Sequence, residues 1–137
     1  MPPAILINID VDDLDRAAGF YTNLLDVRIG RRFGAAGVEL VGAAAPIYLL
    51  VKQAETAASV ASGERRRYGR HWTPVHLDFA VADLDAAVAA ALAAGATQDS
   101  AAETHAWGRI AHMADPFGHG FCLIQFLGRG YDEVASS

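Results

Sequence analysis

The hydrophobic and polar positions of this chain follow the same order twice. Residues 5–11 and 76–81 alternate apolar and polar side chains, which is typical of a strand with one buried face. A helical spacing of apolar residues follows each run and begins at Leu14 and at Leu84, directly after Asp13 and Asp83. Because an aspartate side chain accepts hydrogen bonds from the first N–H groups of a helix, Asp13 and Asp83 are predicted N-caps.

The two halves match at an offset of 70 residues, which relates Val11 to Val81 and Leu14 to Leu84. Three further strand-like runs follow each helix: 27–33, 37–42 and 46–51, then 96–98, 107–113 and 120–126. Each half therefore has the predicted order β-α-β-β-β. We predict module one over about 4–52, a connector over about 53–74, module two over about 75–127, and a loosely held tail over 128–137.

This repeated module resembles the vicinal oxygen chelate superfamily, which includes glyoxalases, extradiol dioxygenases and bleomycin-resistance proteins. The resemblance is carried by VDDLDRAAGFYTNLL, VHLDFAVADLDAAVAAALAAGA and DPFGHGFCLIQF, and it covers roughly residues 4–127. It implies one α+β domain in which two tandem βαβββ modules form curled mixed sheets around a concave cavity, with the helices on the outer faces. It also implies a homodimer.

The alternation predicts which polar residues face that cavity. If Ile7 and Ile9 face the helix, then Asn8, His76 and Asp78 lie on the concave side. Polar groups on a partly enclosed surface are costly unless they are bonded to each other, to water or to a ligand. The convergence therefore favours a ligand cavity over a face that is simply wet.

Aromatic and basic residues are predicted near the mouth of the cavity. Trp72 and Trp107 are candidate stacking surfaces for a planar ligand, although packing in the core or in a dimer explains them equally well. Arg70 belongs to the basic cluster in ERRRYGRHW (residues 64–72), which suits an anionic or aromatic ligand. The alternative for this cluster is a solvated surface loop.

The metal positions of the superfamily are tested residue by residue. Metal-dependent members place His or Gln on the first strand of each module and Glu on the last. The matching positions here are Leu6, Tyr48 (or Leu49, if the strands slip by one residue), His76 and Cys122. Because Leu6 has no donor atom, we predict no metal site of the family type. His76 and Cys122 are the fallback pair for a zinc ion, which would need a third donor from Tyr48 or Asp78.

Composition excludes several other classes. The 137 residues carry 11 basic and 16 acidic side chains, a net charge of -5, which disfavours nucleic-acid binding. The single cysteine rules out an internal disulfide framework. Because no apolar run reaches the length of a membrane span and the N-terminus has no secretory pattern, we expect a cytoplasmic protein with no membrane contact.

The sequence thus predicts a small-molecule-binding protein of the bleomycin-resistance type that needs no cofactor. Its ligand-binding residues are predicted to be Asn8, Tyr48, Arg70, Trp72, His76, Asp78, Trp107 and Cys122. Two enzymatic alternatives stay open. One is a glyoxalase-type lyase or dioxygenase with a rearranged divalent-metal site, and the other is a metal-free, isomerase-like enzyme that uses His76 and Asp78 for proton transfer.

Overall fold

A computed structural model describes residues 2–136, and the chain divides into two compact units, Met1–Gly69 and Arg70–Ser137. The first unit contains β1 (Ile7–Val11), α1 (Leu14–Leu24), β2 (Arg28–Arg32), β3 (Gly37–Val41) and β4 (Ile47–Val51). The second contains β5 (Leu77–Ala80), α2 (Leu84–Ala93), β6 (Thr97–Gln98), β7 (Glu103–His105), β8 (Gly108–Ala114), β9 (Gly120–Phe126) and a 3-10 helix (Gly130–Glu133).

Both units repeat one sheet topology. The first sheet has the order β1-β4-β3-β2 and the second β5-β9-β8-β6, with β7 paired to β8 outside this path. In each sheet the strand before the helix is parallel to the last strand, and the remaining pairs are antiparallel. The prediction of an α+β fold built from two modules is confirmed.

Both helices begin where the aspartates predicted. The Asp13 carboxylate accepts a hydrogen bond from the Arg16 N–H at 3.1 Å, and the Asp83 carboxylate accepts one from the Ala86 N–H at 3.1 Å. After α2 the chain turns at Gly95, whose φ of 110° lies in the region that favours glycine.

Each core lies between the sheet and its helix. In the first unit, α1 packs on β2, β3 and β4, and Val11, Leu40 and Leu49 are fully buried. In the second, α2 packs on β8 and β9, and Leu84 and Leu123 are fully buried. Among the described residues, neither helix has the length and apolar character needed to cross a bilayer.

The structure departs from the predicted elements at three places. Strand β1 begins at Ile7, so Ile5 and Leu6 lie outside it and are 72% and 57% exposed. Strand β7, which forms a hairpin with β8, was not predicted. The tail is also better held than expected, because its 3-10 helix places Tyr131 against Trp107 and Phe126.

Candidate functional site

The strand registers place polar residues in one row on each sheet, on the face opposite the helix. In the first sheet, Asn8 pairs with Tyr48, and Tyr48 pairs with Glu39. Tyr48 therefore faces away from the core, whereas Leu49 is fully buried. The sequence match that chose Tyr48 over Leu49 has the correct register.

The second sheet repeats this row with different chemistry. Asp78 pairs with Cys122, and Cys122 pairs with His112. Asn8, Tyr48 and Glu39 thus correspond to Asp78, Cys122 and His112. We call the sheet surface that carries Asp78, Cys122 and His112 the polar face of the second sheet.

In the first row, Glu39 and Tyr48 are already bonded to each other and to Arg31. Arg31 binds both oxygens of the Glu39 carboxylate, at 3.1 Å through Nε and at 2.6 Å through Nη2, and the Tyr48 hydroxyl donates to it at 2.9 Å. These contacts, that of Arg31 above all, lower the pKa of Glu39 to about 2. Glu39 and Tyr48 therefore form a locked structural cluster.

Two members of the second row, Asp78 and Cys122, form a less constrained group with His76. His76 lies just before β5, and its Nδ1 is 3.1 Å from an Asp78 carboxylate oxygen. The Cys122 thiol also interacts with this carboxylate, and burial together with Asp78 raises the thiol pKa to about 12. The thiol therefore stays protonated and donates to Asp78. About a third of each of the His76 and Asp78 side chains is exposed, at 33% and 34%.

Residues 72–76 form an arch that interrupts the pairing of the chain with β9 next to this group. His71 pairs with His119 just before the arch, and Leu77 pairs with Phe121 just after it. The Trp72 ring lies directly over Gly120, where a Cβ atom would come within 2.1 Å of it. The ring centroids of Trp72 and His76 are 4.7 Å apart, so the two ends of the arch meet. Trp72 is still 42% exposed.

Arg70 and Asp99 border the same surface. Arg70 binds both oxygens of the Asp99 carboxylate, at 3.1 Å through Nε and at 2.5 Å through Nη2, and this lowers the pKa of Asp99. The Arg70 guanidinium lies 5.6 Å from the Trp72 ring centroid. The Asp99 N–H donates to the carbonyl of His112, so this ion pair adjoins the polar row.

The remaining predicted residues lie elsewhere. Trp107 occupies the β7–β8 turn and packs with His105, Phe126 and Tyr131, in a cluster separate from the contacts of Trp72. Within the basic cluster, Arg66 is structural, because its Nε donates to Asp10 at 2.8 Å. Its neighbour Arg65 donates to a backbone carbonyl of the connector at 2.8 Å.

The donor atoms do not fit the four-ligand metal set that the fold family implies. Leu6 offers no donor, the Tyr48 hydroxyl donates to Glu39, and the Cys122 thiol is held protonated. A smaller set does exist, because donor atoms of His76, Asp78 and Cys122 all lie within 4.8 Å of one another. Three donors are the number that catalytic zinc sites usually take from a protein.

Three residues of this surface were missed as site residues. His112 follows the same alternation as Cys122 on the neighbouring strand, so a register prediction for β8 and β9 would have found it. Gly120 lies two positions before Cys122 and therefore shares its face. Asp99 carried no sequence signal, since it comes from a loop after the short strand β6.

Comparisons with known proteins agree with this fold. Residues 6–124 match the glyoxalase-like domain family. An uncharacterized protein of Mycobacterium bovis is 35% identical over 127 residues, which cover 90% of this chain and 83% of that protein. This chain belongs to the glyoxalase-like domain family, within the vicinal oxygen chelate superfamily.

Two solved structures have the same fold at low sequence identity. The fosfomycin resistance protein FosX of Listeria monocytogenes has a TM-score of 0.70 and 16% identity, with 98% of this chain and 99% of that chain covered. A glyoxalase/bleomycin resistance protein/dioxygenase family enzyme of Burkholderia phytofirmans has a TM-score of 0.69 and 21% identity, with 89% and 97% covered.

Proposed function

We propose that this chain binds a small organic molecule against the polar face of its second sheet, without a metal of the family type. One observation carries the proposal. The Trp72 ring packs directly against Gly120, yet Trp72 remains 42% exposed to solvent. It lies beside the part-exposed side chains of His76 and Asp78. An aromatic surface with a few convergent polar groups is the usual composition of a ligand site.

The contrast between the two rows supports this choice of sheet. In the first row the Glu39 carboxylate already binds Arg31 and Tyr48, so it offers little to a ligand. In the second row the partners of Asp78 are one imidazole and one thiol, and they leave its carboxylate part-exposed. A ligand therefore gains more by contacting the second row.

The test is a thermal-shift and ligand-observed NMR screen of aromatic fragments. We expect the compounds that bind to lose affinity in a Trp72→Ala variant and to keep it in a Trp107→Ala variant, which is the matched control. Binding that survives Trp72→Ala, or a screen in which no compound binds, would refute the proposal. The proposal also includes a cytoplasmic homodimer, which analytical ultracentrifugation and cell fractionation test directly.

A metal-dependent enzyme is the second candidate, and the three-donor group of His76, Asp78 and Cys122 favours it. A divalent ion held there would supply Lewis-acid polarisation of a ligand oxygen. Because ligating cysteines are thiolates, binding would have to remove the proton that the Cys122 thiol holds. Metal analysis of protein purified without chelator tests this candidate. About one ion per chain, lost in Cys122→Ser, would favour it over the first.

A further inference from the structure

Three carboxylates on or beside the two polar rows are neutralised by arginine. In every case at least one nitrogen–oxygen distance is 2.8 Å or shorter. The pairs are Glu39 with Arg31, Asp10 with Arg66, and Asp99 with Arg70. A part-buried carboxylate that has lost water gains from a cation at this distance.

Asp78 is the exception. Its partners are the His76 imidazole, at 3.1 Å, and the Cys122 thiol. Within residues 2–136, no lysine or arginine forms an ion pair with it. The face thus presents one carboxylate that lacks the arginine partner its counterparts have.

The surroundings of Asp78 suit an organic cation with a flat ring. The centroid of the Trp72 ring lies 4.7 Å from that of His76 and 6.1 Å from that of His112, so three rings border the same surface. A cation near an indole face is attracted by the negative face of the ring. Arg70 already lies near this ring, but its charge is balanced by Asp99.

We propose that the polar face of the second sheet binds a protonated organic amine whose ammonium contacts the Asp78 carboxylate and whose flat apolar group lies against Trp72. This inference rests on the proposed function and adds the charge and shape of the ligand. An ammonium donates hydrogen bonds to the carboxylate and leaves the Cys122 proton in place, which a metal ion does not.

Three probes that share one ring system separate charge from shape. Naphthylmethylamine is a cation, naphthalenemethanol is neutral and naphthylacetate is an anion, and each is titrated by NMR in the presence of EDTA. We expect the amine to bind about tenfold more tightly than the alcohol. Both can donate a hydrogen bond to the carboxylate, but only the ammonium adds a charge–charge attraction, and about 1.4 kcal/mol of such attraction is tenfold in affinity. The acetate should bind most weakly.

Variants assign this preference to its source. In Asp78→Asn the amine and the alcohol should bind within about twofold of each other, because the charge-assisted contact is lost. Asp26→Asn removes one exposed carboxylate from the first unit, and it should keep the preference of the wild-type protein. Trp72→Ala should weaken the binding of all three probes.

The outcomes distinguish this inference from the proposed function. If the three probes bind equally and all depend on Trp72, the amine inference is wrong while the ligand site stands. A preference that persists in Asp78→Asn, or that occurs only when EDTA is omitted, also overturns the amine inference. If no probe binds at its solubility limit, the amine inference fails, and the proposed function fails with it only if the fragment screen also yields no ligand.

Discussion

The contact between Trp72 and Gly120 offers the sharpest test of the site geometry. In Gly120→Ala the new Cβ would lie 2.1 Å from Cε3 and 2.7 Å from Cζ3 of the indole. Ordinary carbon–carbon contacts are about 3.5–4.0 Å, so the ring would have to withdraw by roughly 1.5 Å. The backbone of Gly120 does not have a positive φ, so it accepts alanine, and the conflict with the Trp72 ring is purely steric.

The expected cost follows from what the ring leaves behind. Because Trp72 is part-exposed, its ring can move outward to relieve the overlap, and it then loses its contacts with His76 and with the strand at Gly120. An aromatic contact contributes about 0.5–1.5 kcal/mol. For a chain of this size, a loss of about 1 kcal/mol lowers Tm by roughly 3–5 °C.

The assay uses tryptophan emission and thermal unfolding in a Trp107→Phe background, where Trp72 is the single remaining tryptophan. We expect Gly120→Ala to shift the emission to the red, to increase quenching by acrylamide and to lower Tm. Gly63→Ala is the control, because its Cβ would meet nothing within 4 Å. Unchanged emission and quenching, with Tm unchanged or raised, would refute the placement of Trp72 over Gly120.

Three further predictions concern other features. Because burial and Asp78 raise the Cys122 thiol pKa to about 12, the native protein should react slowly with a disulfide reagent at pH ~8, and the Asp78→Asn variant should react faster. Equal reaction rates in native and denatured protein would contradict this. Folding lowers the pKa of Glu39 from 4.5 to about 2, so the wild-type protein should have a higher Tm than Glu39→Gln. This difference in Tm should be full above pH 4.5 and should shrink as the pH falls toward 2. A difference that stays constant with pH would be inconsistent with the Arg31 contact. Gly19→Ala, in the interior of α1 with nothing within 4 Å, should raise the free energy of unfolding by about 0.5–1 kcal/mol in urea titrations, and a decrease would mean that the helix face is more crowded than described.

The elements that the sequence predicted best are those fixed by local physics. Asp13 and Asp83 cap the helices because the cap depends on only a few neighbouring residues. The start of β1 depends instead on a distant partner. The Ile7 N–H donates to the carbonyl of Pro46, and Pro46 has no N–H with which to extend the pairing toward Leu6. The pairing of β1 with β4 therefore begins at Ile7 and Ile47. Leu6 is therefore left outside the strand.

The site itself was predictable only in part. The alternation placed Asn8 and Asp78 on the side opposite the helix, because that pattern is a property of the strand alone. The role of Glu39 as the locked partner of Tyr48 required the register between β3 and β4. The different cluster around Trp107 likewise required the tertiary position of Tyr131, which no local pattern contains.

The arch at residues 72–76 has a consequence for how such a protein can change. From His71 to Leu77 the chain advances six residues, while the paired strand advances two, from His119 to Phe121, so four residues are extra. Because both ends are anchored by strand pairing, the arch can vary in length and composition without altering the register of the sheet. A new aromatic or charged group on this surface therefore requires no change in the core, and selection for a different ligand can act on a few exposed positions alone.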